Sequence, residues 1–342
     1  MGVQSQSTNS RLRDLAALAS GAKLSRLQWS GIVAAVVFGL LLPLLVSDYR
    51  TFQFTLVLVY GIAVLGLNIL TGFNGQFSLG HSAFYAIGAY TAAIMMDQWE
   101  FAYYWTLPAA GVICLVAGFL FGLPALRLEG LYLALATFAL SIATPQFLKY
   151  DHLEKWTGGV QGVTIIKPDA PFGLQISQDN WLYYFTFVVM LLLFFCAWNL
   201  LRGRTGRALK AIRDNPIAAR AMGINTALYK SLTFGVSALY TGVAGALGAI
   251  AIQFVAPDSF TFFLSVAILV GMVIGGIGSI PGSIFGGIVI VFIPNLAEKI
   301  SQAAAWAAYG TLLILFMYFM PLGIWGFIRM GYARLTRRRK AT

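Results

Sequence analysis

The sequence predicts an all-α integral membrane protein with about ten transmembrane helices, some of them broken, and with both termini in the cytoplasm. Three observations predict this class: hydrophobic residues make up 59% of the 342 positions, charged residues make up only 10%, and the mean hydropathy is +0.78. A water-soluble domain has about 25% charged residues, so this chain has too few charges to cover a water-facing surface. Lipid must therefore be the solvent for most of it.

Each predicted span is an apolar run of about 20 residues, the length that crosses a bilayer as a helix. Residues 1–30, before the first span, are expected to form a polar, basic tail without a cleavage site. The predicted spans are 31–47, 54–71, 77–97, 105–125, 130–149, 181–201, 229–254, 260–279, 282–297 and 304–328. The short gaps 72–76 and 280–281 are expected to be breaks within the membrane. Residues 31–328 thus form one transmembrane domain.

The distribution of positive charge indicates the orientation. With ten spans and cytoplasmic termini, most of the 23 Lys and Arg residues fall on the cytoplasmic side, in the two tails 1–30 and 329–342, at Arg127 and in the segment 202–230. The opposite side keeps Arg50, Lys149, Lys155, Lys167 and Lys299. The positive-inside rule expects this asymmetry. Basic residues spread in this way argue against nucleic-acid binding, and the C-terminal tail is expected to contact anionic membrane lipid.

The chain lacks groups that would power transport by themselves. The Asp and Glu residues lie at or near predicted membrane boundaries, and His81 is the one titratable group expected well inside a span. Ion-coupled carriers usually keep ionisable groups within their spans. The sequence also lacks a G-x-x-x-x-G-K-[ST] phosphate-binding loop and any Cys or His spacing typical of a metal site. We expect no catalytic residue, metal or cofactor on this chain, and if ATP drives transport, a partner must hydrolyse it. A secondary carrier or channel acting without an ATPase is the alternative.

The cytoplasmic segment 202–228 is the predicted docking surface for such a partner. Asn215 is a good helix N-cap, Pro216 suits the first helical position, and Gly223 suits the C-terminal stop. These residues bracket a short helix at 216–222 with mostly small side chains, which could enter a groove of another protein; a solvated basic loop is the alternative. The residues expected to contact the ATPase are Arg207, Arg213, Asp214, Asn215, Pro216, Ala218, Ala219, Met222 and Gly223.

Two glycine-rich interruptions are candidates for the solute path. The stretches 72–80 and 275–282 interrupt apolar helices about 200 residues apart, and paired broken helices can mark the substrate site of a transporter. The polar residues at the first break either line the path or satisfy the backbone around a kink: Asn74, Gly75, Gln76, Ser78 and His81. In the predicted outer loop 151–180, Gly158, Gly159 and Gly162 shape either the outer mouth of the path or only a loop turn.

Four motifs together resemble a known family. They are the stretches 211–225, 72–90 and 157–162, and the pair of Pro-Asp-Ser-Phe at 257–260 with the glycine-rich stretch 275–282. Taken in their order along the chain, they are similar to the motifs of the permeases of bacterial branched-chain amino acid ABC importers, over roughly residues 50–330. The chain looks most like the second of the two permeases, the type with the longer N-terminus.

The resemblance implies a set of partners and a location. A homologous second permease would pair with this chain in the bacterial inner membrane, two ATPase subunits would bind ATP and Mg and dock on the cytoplasmic coupling loops, and a periplasmic binding protein would deliver the solute. Transport would then proceed by alternating access. Members of the family carry leucine, isoleucine and valine, whereas relatives carry urea, short amides, other amino acids or aromatic acids, and the motifs do not separate these solutes.

Overall fold

The computed structural model describes residues 26–126, 128, 130–171, 176–298 and 323–330, together with positions 307, 310, 311, 314, 315 and 318. The first unit of the chain, 1–46, contains α1 (Arg26–Leu45), and all other elements belong to the second unit, 47–342. The helices of the second unit are α2 (Asp48–Leu67), α3 (His81–Asp97), α4 (Tyr103–Ala125), α5 (Leu131–Leu148), α6 (Asp151–Thr157), α7 (Gln178–Arg202), α8 (Arg204–Asp214), α9 (Pro216–Ala221), α10 (Thr226–Ile252), α11 (Phe262–Gly275) and α12 (Gly282–Glu298). A π-helix (Asn68–Phe73) continues α2, two strands, β1 (Val163–Thr164) and β2 (Phe254–Val255), form a small sheet, and a 3₁₀ helix (Pro257–Phe260) precedes α11.

The predicted class, an all-α membrane protein, is confirmed. Among the described residues, five helices are long and apolar enough to cross a membrane: Asp48–Phe73, Tyr103–Pro124, Leu131–Leu148, Gln178–Arg202 and Thr226–Ile252. Shorter apolar helices are Val33–Leu45, Phe262–Gly275 and Gly282–Leu296. The predicted last span, 304–328, lies mostly outside the described residues, as do the tail 1–25 and Arg127. The count of ten spans and the side of each terminus stay predictions.

Helix α10 forms the centre of the second unit, where it contacts α2, α3 and α4. Small residues allow this close packing. A Cβ atom at Gly88 of α3 would lie 2.0 Å from the carbonyl oxygen of Gly242 in α10, and one at Gly245 would lie 2.0 Å from the carbonyl oxygen of Tyr85. Since only glycine lets two backbones approach so closely, these contacts fix α3 and α10 side by side.

Both predicted breaks are present, and both are longer than expected. The first comprises the π-helix and a non-helical stretch, 75–80, so that α3 begins at His81 and not at residue 77. This stretch is held away from helical geometry because Leu79 N donates to Thr137 Oγ1 of α5 at 2.9 Å. The second break, 276–281, contains Gly276 and Gly278 at φ of 126° and 72°, a backbone region that favours glycine.

The predicted outer loop 151–180 has more structure than a loop. It contains α6 and β1, and β1 pairs antiparallel with β2 at the end of α10, with Val163 opposite Val255. Lys149 Nζ contacts Asp258 Oδ1 at 2.6 Å, and Lys167 pairs with Asp179. The pairing of β1 with β2 attaches the segment to the end of α10 that is distant from α9.

Candidate functional site

The short helix α9 begins and ends where local chemistry predicts. Asn215 Oδ1 accepts hydrogen bonds from the N–H groups of Ile217 at 3.1 Å and Ala218 at 3.0 Å, which is the geometry of an N-cap. Pro216 is the first helical residue, and Gly223 has a φ of 82° just after the helix. The helix predicted at 216–222 is confirmed to within one residue, as Pro216–Ala221.

Two large apolar side chains are exposed on and directly after α9, a helix whose other side chains are mostly small. Ile217 is 81% exposed and Met222 is 84% exposed, whereas Ala219 is buried against the rest of the chain. Most of the other predicted contact residues are also exposed, with Pro216 partly so: Arg207, Asp214, Asn215, Ala218 and Gly223. Exposed apolar groups surrounded by polar ones are typical of a protein-binding surface.

Arg213 faces the first break of the membrane helices. Its Nη1 donates to the carbonyl oxygen of Gly72 at 2.9 Å, and its Nη2 lies 3.0 Å from Asp214 Oδ1. The aliphatic part of the side chain packs beside Gly75, where a Cβ atom would lie 2.9 Å from Arg213 Cγ. One residue thus joins α8, directly before α9, to the end of the π-helix.

The two breaks meet at one buried amide, Asn68. Its Nδ2 donates to the carbonyl oxygens of Ser279 at 2.9 Å and Gly276 at 3.3 Å, and its Oδ1 accepts from Gly278 N at 2.7 Å. A Cβ atom at Gly72 would lie 2.6 Å from Gly278 N. Asn68 therefore supplies the second break with hydrogen bonds that a continuous helix would have made internally. The sequence analysis missed this residue, although an isolated amide inside the apolar span 54–71 was a usable signal.

Two of the predicted path residues form a buried pair at the start of the non-helical stretch. Asn74 Nδ2 donates to Gln76 Oε1 at 2.7 Å, and Thr71 Oγ1 donates to the Gln76 carbonyl oxygen at 2.9 Å. Asn74 Oδ1 is buried and has no hydrogen-bond partner among the described residues. Gly75, between them, is exposed. The pair therefore stabilises the kinked backbone, while the Asn74 Oδ1 acceptor stays without a partner among the described residues.

The other two path residues form a hydrogen-bonded chain at the start of α3. His81 Nδ1 lies 3.2 Å from Ser78 Oγ, and His81 Nε2 lies 2.8 Å from Ser237 Oγ of α10. Ser237 Oγ in turn donates to the carbonyl oxygen of Gly66 at 2.6 Å. Both ring nitrogens of His81 thus have a hydrogen-bond partner within the protein. Together these bonds link α3 to α10 and α10 to α2.

The glycine motif at 157–162 forms a tight turn at the other end of α10. Gly158, Gly159 and Gly162 have φ values of 69°, 56° and 75°, and a Cβ atom at Gly162 would lie 2.4 Å from the carbonyl oxygen of Val255. Thr157 Oγ1 donates to the carbonyl oxygen of Leu148 at 2.8 Å. The 27-residue α10, at about 1.5 Å per residue, separates this turn from α9. The structure therefore does not bring these glycines together with the first break.

Comparisons with known proteins identify the family of the chain. A family model described as branched-chain amino acid transport system / permease component matches residues 49–321. The chain is 34% identical over 316 residues to the high-affinity branched-chain amino acid transport system permease protein LivM of Escherichia coli (strain K12), covering 86% of this chain and 74% of that protein. It is 32% identical to LivM of Salmonella typhimurium with the same coverage, and 29% identical over 302 residues to the permease protein LivH of Escherichia coli (strain K12), covering 80% of this chain and 92% of the relative. No solved structure gives a significant match. The chain belongs to the family of permease components of branched-chain amino acid transport systems.

Proposed function

We propose that this permease subunit of an ABC importer carries branched-chain or related amino acids across the bacterial inner membrane. The single observation that carries the proposal is the surface of α9, where Ile217 and Met222 are exposed on a capped helix. That helix is joined through Arg213 to the broken membrane helices. ATP and Mg would be bound on two partner subunits, which dock on α9, and this chain would perform no chemistry itself.

The contacts around α9 support transmission of a conformational change. When the ATPase pair closes on ATP, a docked α9 moves with it, together with α8 and the start of α10. Arg213 then displaces Gly72 at the end of the π-helix, and Asn68 transmits that displacement to the second break. Because helix breaks absorb changes in backbone angle, the two breaks are the natural hinge for alternating access.

The remaining partners follow from the relatives and from the two ends of the chain. The relatives named LivM and LivH are permease proteins of transport systems that share one description, which supports a homologous second permease beside this chain. The segment 151–180 lies at the end of α10 distant from α9, where a periplasmic binding protein would release the solute. This assignment uses ten spans with both termini in the cytoplasm, the orientation that the basic residues favour.

The test is a charged substitution on α9 in the assembled complex. In Ala218→Glu, a bulky carboxylate occupies an exposed position beside the docking side chains, so we expect ATP hydrolysis to continue while amino acid uptake falls at least tenfold. Ala218→Ser is the matched control, since it keeps a small side chain, and it should transport at the wild-type rate. Wild-type uptake by the Ala218→Glu complex would contradict docking at α9.

A further inference from the structure

A group of four aromatic side chains, called here the tyrosine cluster, joins three elements of the second unit. It consists of Tyr60 of α2, Tyr85 and Tyr90 of α3, and Phe260 of the 3₁₀ helix. The Tyr60 and Tyr85 rings stack with centroids 6.1 Å apart, and the Phe260 ring lies 6.0 Å from the centroids of both Tyr85 and Tyr90. The cluster thus presents several ring faces in one region.

Two hydroxyl groups of this cluster are buried without a partner. Tyr85 and Tyr90 are each 3% exposed, and the Oη atom of each has no hydrogen-bond partner among the described residues. By contrast, Tyr240 Oη, also buried, donates to the carbonyl oxygen of Leu193 at 2.8 Å. Burying a hydroxyl without a partner is unfavourable, so two such groups in one cluster point to a polar occupant that the described residues do not provide.

The cluster lies toward the end of α10 that is distant from α9. A Cβ atom at Gly248 would lie 2.0 Å from Tyr85 Oη, and Gly248 precedes the end of α10 at Ile252 by about one helical turn. Phe260 follows β2, which pairs with β1 next to the glycine turn. In the proposed orientation, the cluster is therefore in the outer half of the membrane, where a solute from outside arrives first.

We propose that the tyrosine cluster is a binding site for an amino acid with an apolar side chain. The ring faces would hold the apolar side chain, and the two phenol hydroxyls, each able to donate and to accept a hydrogen bond, would contact the carboxylate and ammonium groups. Uncharged hydroxyls suit a zwitterion, which has no net charge to neutralise. The inference rests on the proposed function, because it names where the imported solute binds within the permease.

The test removes each hydroxyl and keeps its ring. Wild-type, Tyr85→Phe and Tyr90→Phe complexes, assembled with the second permease, the ATPases and the binding protein in vesicles, are supplied with saturating leucine-loaded binding protein. We expect each variant to move about fivefold less leucine per ATP, the effect of losing one net hydrogen bond. Tyr240→Phe is the matched control, since it loses a hydroxyl that already has a protein partner, and it should move leucine at the wild-type ratio.

The possible outcomes distinguish a failure of this binding site from a failure of the proposed function. Leucine movement at the wild-type ratio by both cluster variants would overturn the site, and so would an equal loss in Tyr240→Phe, because the effect would then be general to packing. If Tyr85→Phe does not assemble, Tyr90→Phe alone decides between these outcomes. A wild-type complex that moves no branched-chain amino acid would instead overturn the proposed function.

Discussion

At the scale of single residues, Asn68 shows how a polar group is kept inside an apolar span. A buried amide is unfavourable unless its donors and acceptor are paired, and the backbone groups at a helix break are unfavourable in lipid for the same reason. Asn68 satisfies both requirements, since its amide forms hydrogen bonds with the backbone of Gly276, Gly278 and Ser279. The amide and the break therefore stabilise each other.

Replacement of this amide should be costly. Asn68→Leu keeps a similar volume but leaves the Gly278 N–H and the Ser279 carbonyl without a partner, so we expect the free energy of unfolding to fall by about 3 kcal/mol. Gln53→Leu is the control, because Gln53 Nε2 donates at an exposed position to Tyr49 Oη of the same helix. Denaturation of the purified complex in detergent measures both, and equal stability of the two variants would contradict the role of Asn68.

The glycine beside Asn68 leads to a second prediction. A Cβ atom in Gly72→Ala would lie 2.1 Å from Asn68 Oδ1 and 2.6 Å from Gly278 N, so the two breaks would have to separate. We expect a loss of about 2 kcal/mol in stability and reduced uptake. The comparison is Gly31→Ala, where nothing lies within 4 Å of the added atom; a thermal unfolding midpoint for Gly72→Ala no lower than that of Gly31→Ala would refute the close approach.

At the scale of elements, the sequence predicts the structural features that are determined by residues close together in the chain. The limits of α9 were predictable because Asn215, Pro216 and Gly223 act on backbone groups within a few positions. The joining of the two breaks was not, because Asn68 and Ser279 are far apart in the chain, and a local pattern carries no information on which distant carbonyl an amide meets. The strands β1 and β2 were missed because a strand of two residues is too short to show the alternation of apolar and polar side chains that identifies a strand.

The N-cap of α9 can be tested as an element. Asn215→Ala removes the acceptor for two N–H groups, which destabilises a short helix by about 1 kcal/mol. We expect a fewfold decrease in amino acid moved per ATP, with little change in the unfolding of the membrane helices. Asn215→Asp keeps a capping oxygen and should restore coupling. If alanine and aspartate behave alike in vesicle uptake, the cap does not position the docking surface.

At the largest scale, the described part of the second unit is organised around α10. One end of this helix follows α9, its middle contacts His81 through Ser237, and its other end continues into β2 beside the glycine turn. Since α3 and α10 touch through backbone at Gly88 and Gly245, we expect them to move as a pair. A displacement at α9 would then be transmitted along α10 to its far end.

The proposed transmission of movement through α10 needs an external source of energy. The chain purified alone and placed in vesicles with a leucine gradient or a proton gradient should therefore accumulate no leucine, whereas the complex with its ATPases and binding protein should do so with ATP. Accumulation by the chain alone would favour a secondary carrier. Vesicles holding the Ala218→Glu complex serve as a control for leakage through a correctly inserted protein.

The orientation of the chain yields the last prediction. With ten spans and cytoplasmic termini, the exposed Val160 beside the glycine turn and the exposed Met222 after α9 lie on opposite sides of the membrane. In a background with Cys196→Ser, and with the buried Cys114 retained, a membrane-impermeant thiol reagent should label Val160→Cys in cells whose outer membrane is permeable. It should label Met222→Cys only in inside-out vesicles. Labelling of both cysteines from the same side would contradict both the orientation and the placement of α9 against an ATPase, because nucleotide is available only in the cytoplasm.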